Sequence, residues 1–248
     1  MIKGLYTAAS SMTSTQKDLN IVSNNLANSN TTGFKKDIAV KESFPEMLIN
    51  KLEGKTKNPI GTLGTGVRLQ GTFTDFSRGQ MRNTENAFDF AIQGEGFFVI
   101  ETPNGTHYTR DGNFTLNETG ELITQQGYRV LGKDGPIQVD SNIDVKVDEQ
   151  GRFFVGGLES EQLQIRHFND PSVLSKTGDN LYTSNVEGEI AENIVVKQGY
   201  LEGSNIDTVQ EMVKMIEVNR LYESNQKVVQ SIDGTLDKAV NQVGRLRV

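Results

Sequence analysis

The chain has 248 residues, 23% of them charged, with 25 glycines, 5 prolines and no cysteine; this length holds one large domain, or two small ones plus extended segments. The formal charge is 25 minus 32, or -7, and the acidity belongs to the middle: residues 1–40 carry four lysines against two aspartates, and residues 207–248 balance six basic against six acidic side chains. That distribution speaks against nucleic-acid binding, the absent cysteines exclude disulfides and thiol chemistry, and no apolar run approaches the roughly 18–20 residues of a membrane span.

The N-terminus has Lys3 but no apolar segment after it, so no cleaved secretory signal is expected. Residues 2–26 instead read as one helix. Taken by sevens, Ile2, Leu5, Ala9, Met12, Gln16, Leu19, Ser23 and Leu26 fall on one face, mostly apolar or small. Thr7, Ser10, Ser11, Thr13, Ser14, Lys17, Asp18 and Asn20 form a polar back. A helix with such a stripe is marginal alone and needs a partner. The candidate partner is at the other end of the chain, within the same copy or a neighbouring one.

The helix should fade after Leu26. Asn24, Asn25, Asn28, Ser29, Asn30, Thr31 and Thr32 offer side-chain oxygens that compete with helical bonding, and Gly33 suits a left-handed turn. The whole run Val22-Ser23-Asn24-Asn25-Leu26-Ala27-Asn28-Ser29-Asn30-Thr31-Thr32-Gly33-Phe34-Lys35 closely resembles the N-terminal signature of the bacterial flagellar rod and hook proteins. Beyond it, Ser43 to Ile49 could form a helical turn, with Pro45 near its start. Lys51 to Gly66, rich in Gly, Lys, Thr and Asn, reads as a mobile loop or arm.

Short strands with turn punctuation begin near Val67. Val67 to Phe76 alternates in part, Ala87 to Ile92 reads as strand, and Phe97 to Ile100 favours β strongly. Turns are expected at Asn104-Gly105, Asp111-Gly112, Thr119-Gly120, Gln126-Gly127, Asp134-Gly135 and Gln150-Gly151, spaced as in an antiparallel meander or barrel-like body. Leu163 to Phe168 adds a strand, and the body runs to about Val196. Gln93-Gly94-Glu95-Gly96-Phe97-Phe98-Val99, then Tyr108-Thr109-Arg110-Asp111-Gly112-Asn113-Phe114, resemble the β-domain hallmark of the same family.

Gly203-Ser204-Asn205-Ile206-Asp207 leads into the last helix. Asp207 with Gln210 has capping-box spacing, although Asn205 could start the helix equally well. Val209, Val213 and Ile216 make one stripe. A second phase runs through Val218, Leu221, Asn225, Val228, Ile232, Leu236, Ala239, Val243 and Leu246, which implies a stutter near 216–218. Glu211 and Met212, with Arg220, Tyr222, Glu223 and Asn225 beyond, resemble the family's C-terminal signature.

Catalytic chemistry finds little support. His107 and His167 lie far apart in predicted strands, without metal spacing. Gly94-Glu95-Gly96 is too short for a dinucleotide fingerprint and precedes a strand. Asp148 to Gly151 lacks the oxygen ligands of a calcium loop. Acidic pairs are plentiful, but none is singled out as a glycosidase pair.

The fold class expected is α+β: a mainly β body with long α-helices at both termini, the helices forming a coiled-coil-like assembly layer. The segments expected are a helix and signature turn over 1–35, a linker over 36–66, the β body over 67–203 and the second helix over 204–248. The resemblance implies a structural subunit of the flagellar basal-body rod, with no cofactor. It also implies a tubular polymer of self and other rod or hook subunits, the rod bushing as a possible contact, and export by the flagellar type III apparatus. Gly64-Thr65-Gly66-Val67-Arg68 and Asn180-Leu181-Tyr182 resemble the distal-rod type. Phe44-Pro45-Glu46-Met47-Leu48, Val130-Leu131-Gly132 and Gly135-Pro136-Ile137 resemble the proximal one. A β-rich surface hydrolase or adhesin is the reading outside the family.

Overall fold

The computed structural model describes residues 2–53, 56–139, 145–191 and 194–243. The elements in chain order are α1 (Ile2–Ala27), β1 (Asp37–Ser43), β2 (Met47–Glu53), β3 (Thr56–Leu63), β4 (Val67–Thr74), β5 (Met81–Asn83) and β6 (Phe90–Gln93). There follow β7 (Phe97–Thr102), β8 (Gly105–Thr109), β9 (Phe114–Leu116), β10 (Leu122–Thr124), β11 (Arg129–Val130), β12 (Val145–Val147), β13 (Arg152–Val155) and β14 (Leu158–Gln162). The chain closes with β15 (Ile165–His167), β16 (Leu174–Gly178), β17 (Leu181–Ser184), β18 (Glu189–Ile190), β19 (Val195–Gln198), β20 (Tyr200–Glu202) and α2 (Thr208–Lys238), which runs on into a π-turn at Ala239–Val243.

The chain forms two compact units. One gathers Met1–Ala27, Asp37–Phe73 and Asp207–Val248; the other gathers Asn28–Lys36 and Thr74–Ile206. The grouping differs from the four consecutive segments expected from the sequence. The strip after α1 belongs with the β body, and strands β1 to β3, with nearly all of β4, belong with the helices.

In the helical unit α1 and α2 pack antiparallel. A Cβ on Gly4 would sit 3.4 Å from Ile232 Cδ1, and Asn225 Nδ2 donates to Ser11 Oγ at 2.9 Å. The sequence-based division of α1 into apolar seam and polar back is revised by burial. Leu5, Met12, Leu19 and Leu26 are half-buried and Ala9 is exposed, whereas Ser14, Thr15, Asp18 and Asn25 are buried. Three of the four hold partners there, whereas Ser14 Oγ is buried without a hydrogen-bond partner among the described residues, and Thr15 Oγ1 donates to Ser11 O at 2.7 Å. Asn25 donates to Asp37 O at 2.8 Å and accepts from Asp37 N at 2.9 Å, and Lys41 pairs with Asp18. Gly66, at φ 141, lies against Ser10.

The inner face of α2 is Glu211, Met215, Val218, Tyr222, Asn225, Val229, Ile232, Leu236 and Ala239, alternating steps of four and three without a break. The stutter expected near 216–218 is therefore not a break in this buried row. Val209, Val213 and Ile216 belong to another face, 70%, 51% and 53% exposed, with Met212 beside them. Leu221 and Val228 are exposed as well. The side chains of Ile2 and Val243, and all of Leu246, lie outside the described residues. Asp207 is the N-cap of α2, its carboxylate accepting from Val209 N and Gln210 N, so the helix does not start at Asn205.

The loop or arm expected after residue 50, and the helical turn expected over 43–49, are replaced by strands. β2 and β3 make an antiparallel hairpin paired from Met47↔Leu63 to Glu53↔Thr56, and β1 pairs with β4. Met47, Leu48, Ile49, Ile60 and Leu63 are exposed on it. A strand exposed on both faces has no need of alternation, so its sequence reads as loop.

The body centres on a nine-stranded sheet, β16-β17-β8-β7-β11-β10-β9, with β15 also on β7 and β18 on β15. Its middle strand, β7, is buried on both faces, which accounts for the unbroken run Phe97-Phe98-Val99-Ile100. Phe98 and Ile100 join Phe90, Phe114, Leu122, Val130 and Phe153 in one cluster; Phe97 and Val99 join Tyr108, Phe168, Leu174 and Tyr182 in another. The expected turns at Gly105, Gly120, Gly127, Gly135 and Gly151 all take positive φ. Asp111-Gly112 is not a hairpin: β8 pairs with β7 and β17, and β9 with β10. The strand expected from Leu163 shortens to Ile165–His167 because Leu163 makes an isolated bridge to Gly132.

Candidate functional site

Most of the signature residues outside the helices converge on one buried junction in the body. The strip Thr32 to Lys36 arrives from α1, and Glu202 to Asn205 are the last residues before α2. Gly33 N donates to Glu202 O at 2.7 Å. Gly33 takes φ 65, and a Cβ there would lie 2.4 Å from the backbone of Arg110 and Asp111, so its glycine answers to close approach and not to capping. Gly79 and Gly112 are bare for the same reason: an added Cβ would fall 1.8 Å from Gly203 O and 1.7 Å from Phe90 O.

Within these close backbone passages sits a charged cluster. Lys35 Nζ donates to Glu202 Oε1 at 2.6 Å and to Ser77 O at 2.8 Å. Arg110 meets Glu202 Oε2 at 3.3 Å and donates to Ile92 O at 3.1 Å and Gly94 O at 2.7 Å. Its guanidinium stands 5.4 Å from the Phe97 ring centroid. Gly79 N adds a bond to Glu202 Oε1. The Lys35 and Glu202 side chains are 0% and 2% exposed, and Arg110 Nε is buried without a hydrogen-bond partner among the described residues. Burial lowers the pKa of Lys35 and of Arg110, and the Glu202 charge opposes this at both. One carboxylate thus serves two buried cations.

The rim is polar. Thr32 Oγ1 donates to Asp111 Oδ1 at 2.7 Å, and Asn180 Nδ2 donates to Thr32 O at 2.6 Å. Lys176 donates to Lys35 O at 2.6 Å and lies 4.3 Å over the Phe34 ring. Lys36 N donates to Asn205 Oδ1 at 2.8 Å, and Asn205 Nδ2 donates to Asp75 O at 2.8 Å. Burial pushes the Asp75 carboxyl up, but hydrogen bonds from Ser77 and the charge of Lys36 outweigh it and hold the group below the usual carboxylate range.

Other signature residues lie elsewhere. Asn28 closes a turn with Thr31, Ala27 ends α1, and Asn24 and Asn30 are exposed. Gly96 is pressed against Ile165, and Ser204 Oγ accepts from Ile206 N. On α2, Glu211 is buried and Tyr222 half-buried, whereas Met212, Arg220 and Glu223 are exposed. Sequence reasoning missed Glu202, Lys176, Asn180 and the role of Lys35. Glu202 alone left a trace, an acid between Leu201 and Gly203 at the end of a strand.

Among the described residues no group of three or more His, Cys, Asp or Glu could hold a metal. No described helix is long and apolar enough to cross a membrane. An open cavity of about 520 Å³ lies in the body among Leu163, Ile165, Arg166, Ile190 and Ile194.

In this fold the segments adjoining both terminal helices are built into one β body. The comparisons name the chain's family. Residues 5–35 match the model described as flagella basal body rod protein, residues 91–155 the D1 domain of flagellar hook protein FlgE/F/G, and residues 197–243 the C-terminal part of flagellar basal body rod FlgEFG protein. Similar relatives include the flagellar hook-basal body complex protein FlhO of Bacillus subtilis, 34% identical over 99% of this chain and 100% of its own length. The flagellar basal-body rod protein FlgG of Borreliella burgdorferi is 37% identical over 97% of this chain and 98% of its own length. FlgF of Caulobacter vibrioides is 34% identical over 99% and 100%. The chain belongs to the flagellar basal-body rod protein family.

Proposed function

We propose that the protein is a structural subunit of the flagellar basal-body rod, polymerising with itself and with other rod or hook subunits into the hollow, torque-transmitting shaft between motor and hook. The observation that carries this reading is apolar surface left over on a helix pair that is already formed. Leu5, Met12, Leu19 and Leu26 recur every seven residues on α1 and are only half-buried, and α2 exposes Val209, Met212, Val213 and Ile216. Covering those rows with neighbouring copies would complete the coiled-coil-like layer. In this reading the chain leaves the cytoplasm through the type III export apparatus, and the rod bushing is a further contact.

The distal position is favoured over the proximal one. Gly66 and Asn180, both in distal-type segments, are tied to Ser10 and to the signature strip at Thr32. The proximal-rod alternative rests on Phe44 to Leu48 and on the Val130 and Gly135 segments, and a hook-type subunit comes third. Labelling this subunit in isolated basal bodies for electron microscopy tests both levels. Label in the rod next to the hook is the expected result; label near the motor selects the proximal reading, and label outside the rod overturns the proposal.

A further inference from the structure

We propose that the Lys35–Glu202–Arg110 cluster is a charge-gated latch, by which the strip 32–36 seats in the β body only after residues 199–206 are in place. The inference concerns a single chain and does not depend on the rod reading. The strip's partners come largely from late in the sequence: Glu202 receives Gly33 N and Lys35 Nζ, Asn205 receives Lys36 N, and Lys176 and Asn180 donate to the carbonyls of Lys35 and Thr32. Residues 200–203 also have backbone partners outside the strip. β20 pairs with β5 in the register Tyr200↔Asn83 to Glu202↔Met81, and Gly203 N donates to Gln80 O at 2.8 Å.

The gate lies in the charge count. Glu202 is the ion-pair partner of both Lys35 and Arg110. Before its carboxylate arrives, seating Lys35 would bury a second cation beside Arg110 with only the lesser charges of Asp75, acting on Lys35, and Glu95, acting on Arg110, to offset them, a costly arrangement in a medium of low polarity. Once β20 has formed, the carboxylate attracts the strip and Gly79 N helps to hold it. The segment leading out of α1 is therefore released and captured by the far end of the same chain.

The logic is asymmetric, which makes it testable by hydrogen exchange on the full-length monomer. Peptides covering 28–36 report the latch, and peptides covering 97–109 report the body. Glu202→Gln removes the ion-pair partner of both cations, so exchange in 28–36 should rise by about tenfold or more while 97–109 is unchanged. Lys35→Met leaves the Arg110–Glu202 pair balanced, and 28–36 should stay within about threefold of the wild type. Should Glu202→Gln unfold the whole body, Glu202→Asp keeps the charge at a shorter reach and should speed exchange in 28–36 selectively. Equal acceleration by Lys35→Met and the Glu202 variant overturns the charge gate. Unchanged exchange in 28–36, or loss of protection in 28–36 and 97–109 together in both Glu202 variants, overturns the latch.

Discussion

At the scale of single residues, Asp111 shows how desolvation at the junction works against a charge. Asp111 is half-buried beside the strip, and its desolvation, with the Asp89 charge adding to it, raises its carboxyl above the ordinary 3.8, against the donors Thr32 and Asn113. The folded chain therefore holds this proton more readily than the unfolded chain. The unfavourable contribution is fully present above the raised pKa and is relieved as pH falls through it toward 3.8. Asp111→Asn removes the desolvated charge, and an amide oxygen can still accept from Thr32 Oγ1 and Asn113 N. The variant should have a higher urea midpoint than the wild type at neutral pH, and the difference should shrink toward about pH 4. A lower midpoint at neutral pH would mean that the ionised carboxylate is needed there. None of this was legible in the sequence. Asp111 reads there as the first residue of an Asp-Gly turn, and Glu202, which binds two cations, lies 167 residues from one and 92 from the other.

At the scale of elements, α2 has two apolar faces with different tasks. Ile232 lies over Gly4 of α1, whereas Val213 points to solvent and is 51% exposed. A carboxylate at 232 would be held against α1, so Ile232→Asp should destabilise the helix pair by about 3–5 kcal/mol. Val213→Lys should change monomer stability by no more than about 0.5 kcal/mol, yet abolish assembly if that face is covered in the polymer. Chemical denaturation of the monomer, set beside sedimentation of the polymer, checks both. Normal polymerisation of Val213→Lys would remove this stripe from the interface. The sequence made both helices legible through their periods but misplaced the faces. Apolar templates skip Glu211 and Tyr222, which occupy the inner row of α2, and they place Asp18 on a polar back although it is buried. The central strand β7 was legible because it is buried on both sides; the β2–β3 hairpin was not, because its described side chains, at 47–49 and 59–63, are all exposed.

At the scale of the whole chain, the two units predict an unusual cleavage pattern. The β2–β3 hairpin is a sheet of two strands with Met47, Leu48, Ile49, Ile60 and Leu63 exposed, and such a hairpin has little independent stability. Lys51 and Lys57 give trypsin two sites in its strands. The Lys35–Lys36 bond, by contrast, lies where Lys35 is wholly buried and Lys36 N and O are bonded to Asn205 and Asp75. Cleavage of dilute monomer should therefore begin in the hairpin and in the exposed turns of α2, and the protected body should retain two pieces: a peptide containing 28–36 and the stretch from about 74 to 206, by the reasoning that cleavage follows local opening. These pieces should elute together on gel filtration and separate only in denaturant. A body that sheds the 28–36 peptide under native conditions would show that the junction does not hold the strip. Early cutting after Lys35 would show the same, since a bond buried among partners from three distant parts of the chain has to open before a protease can reach it.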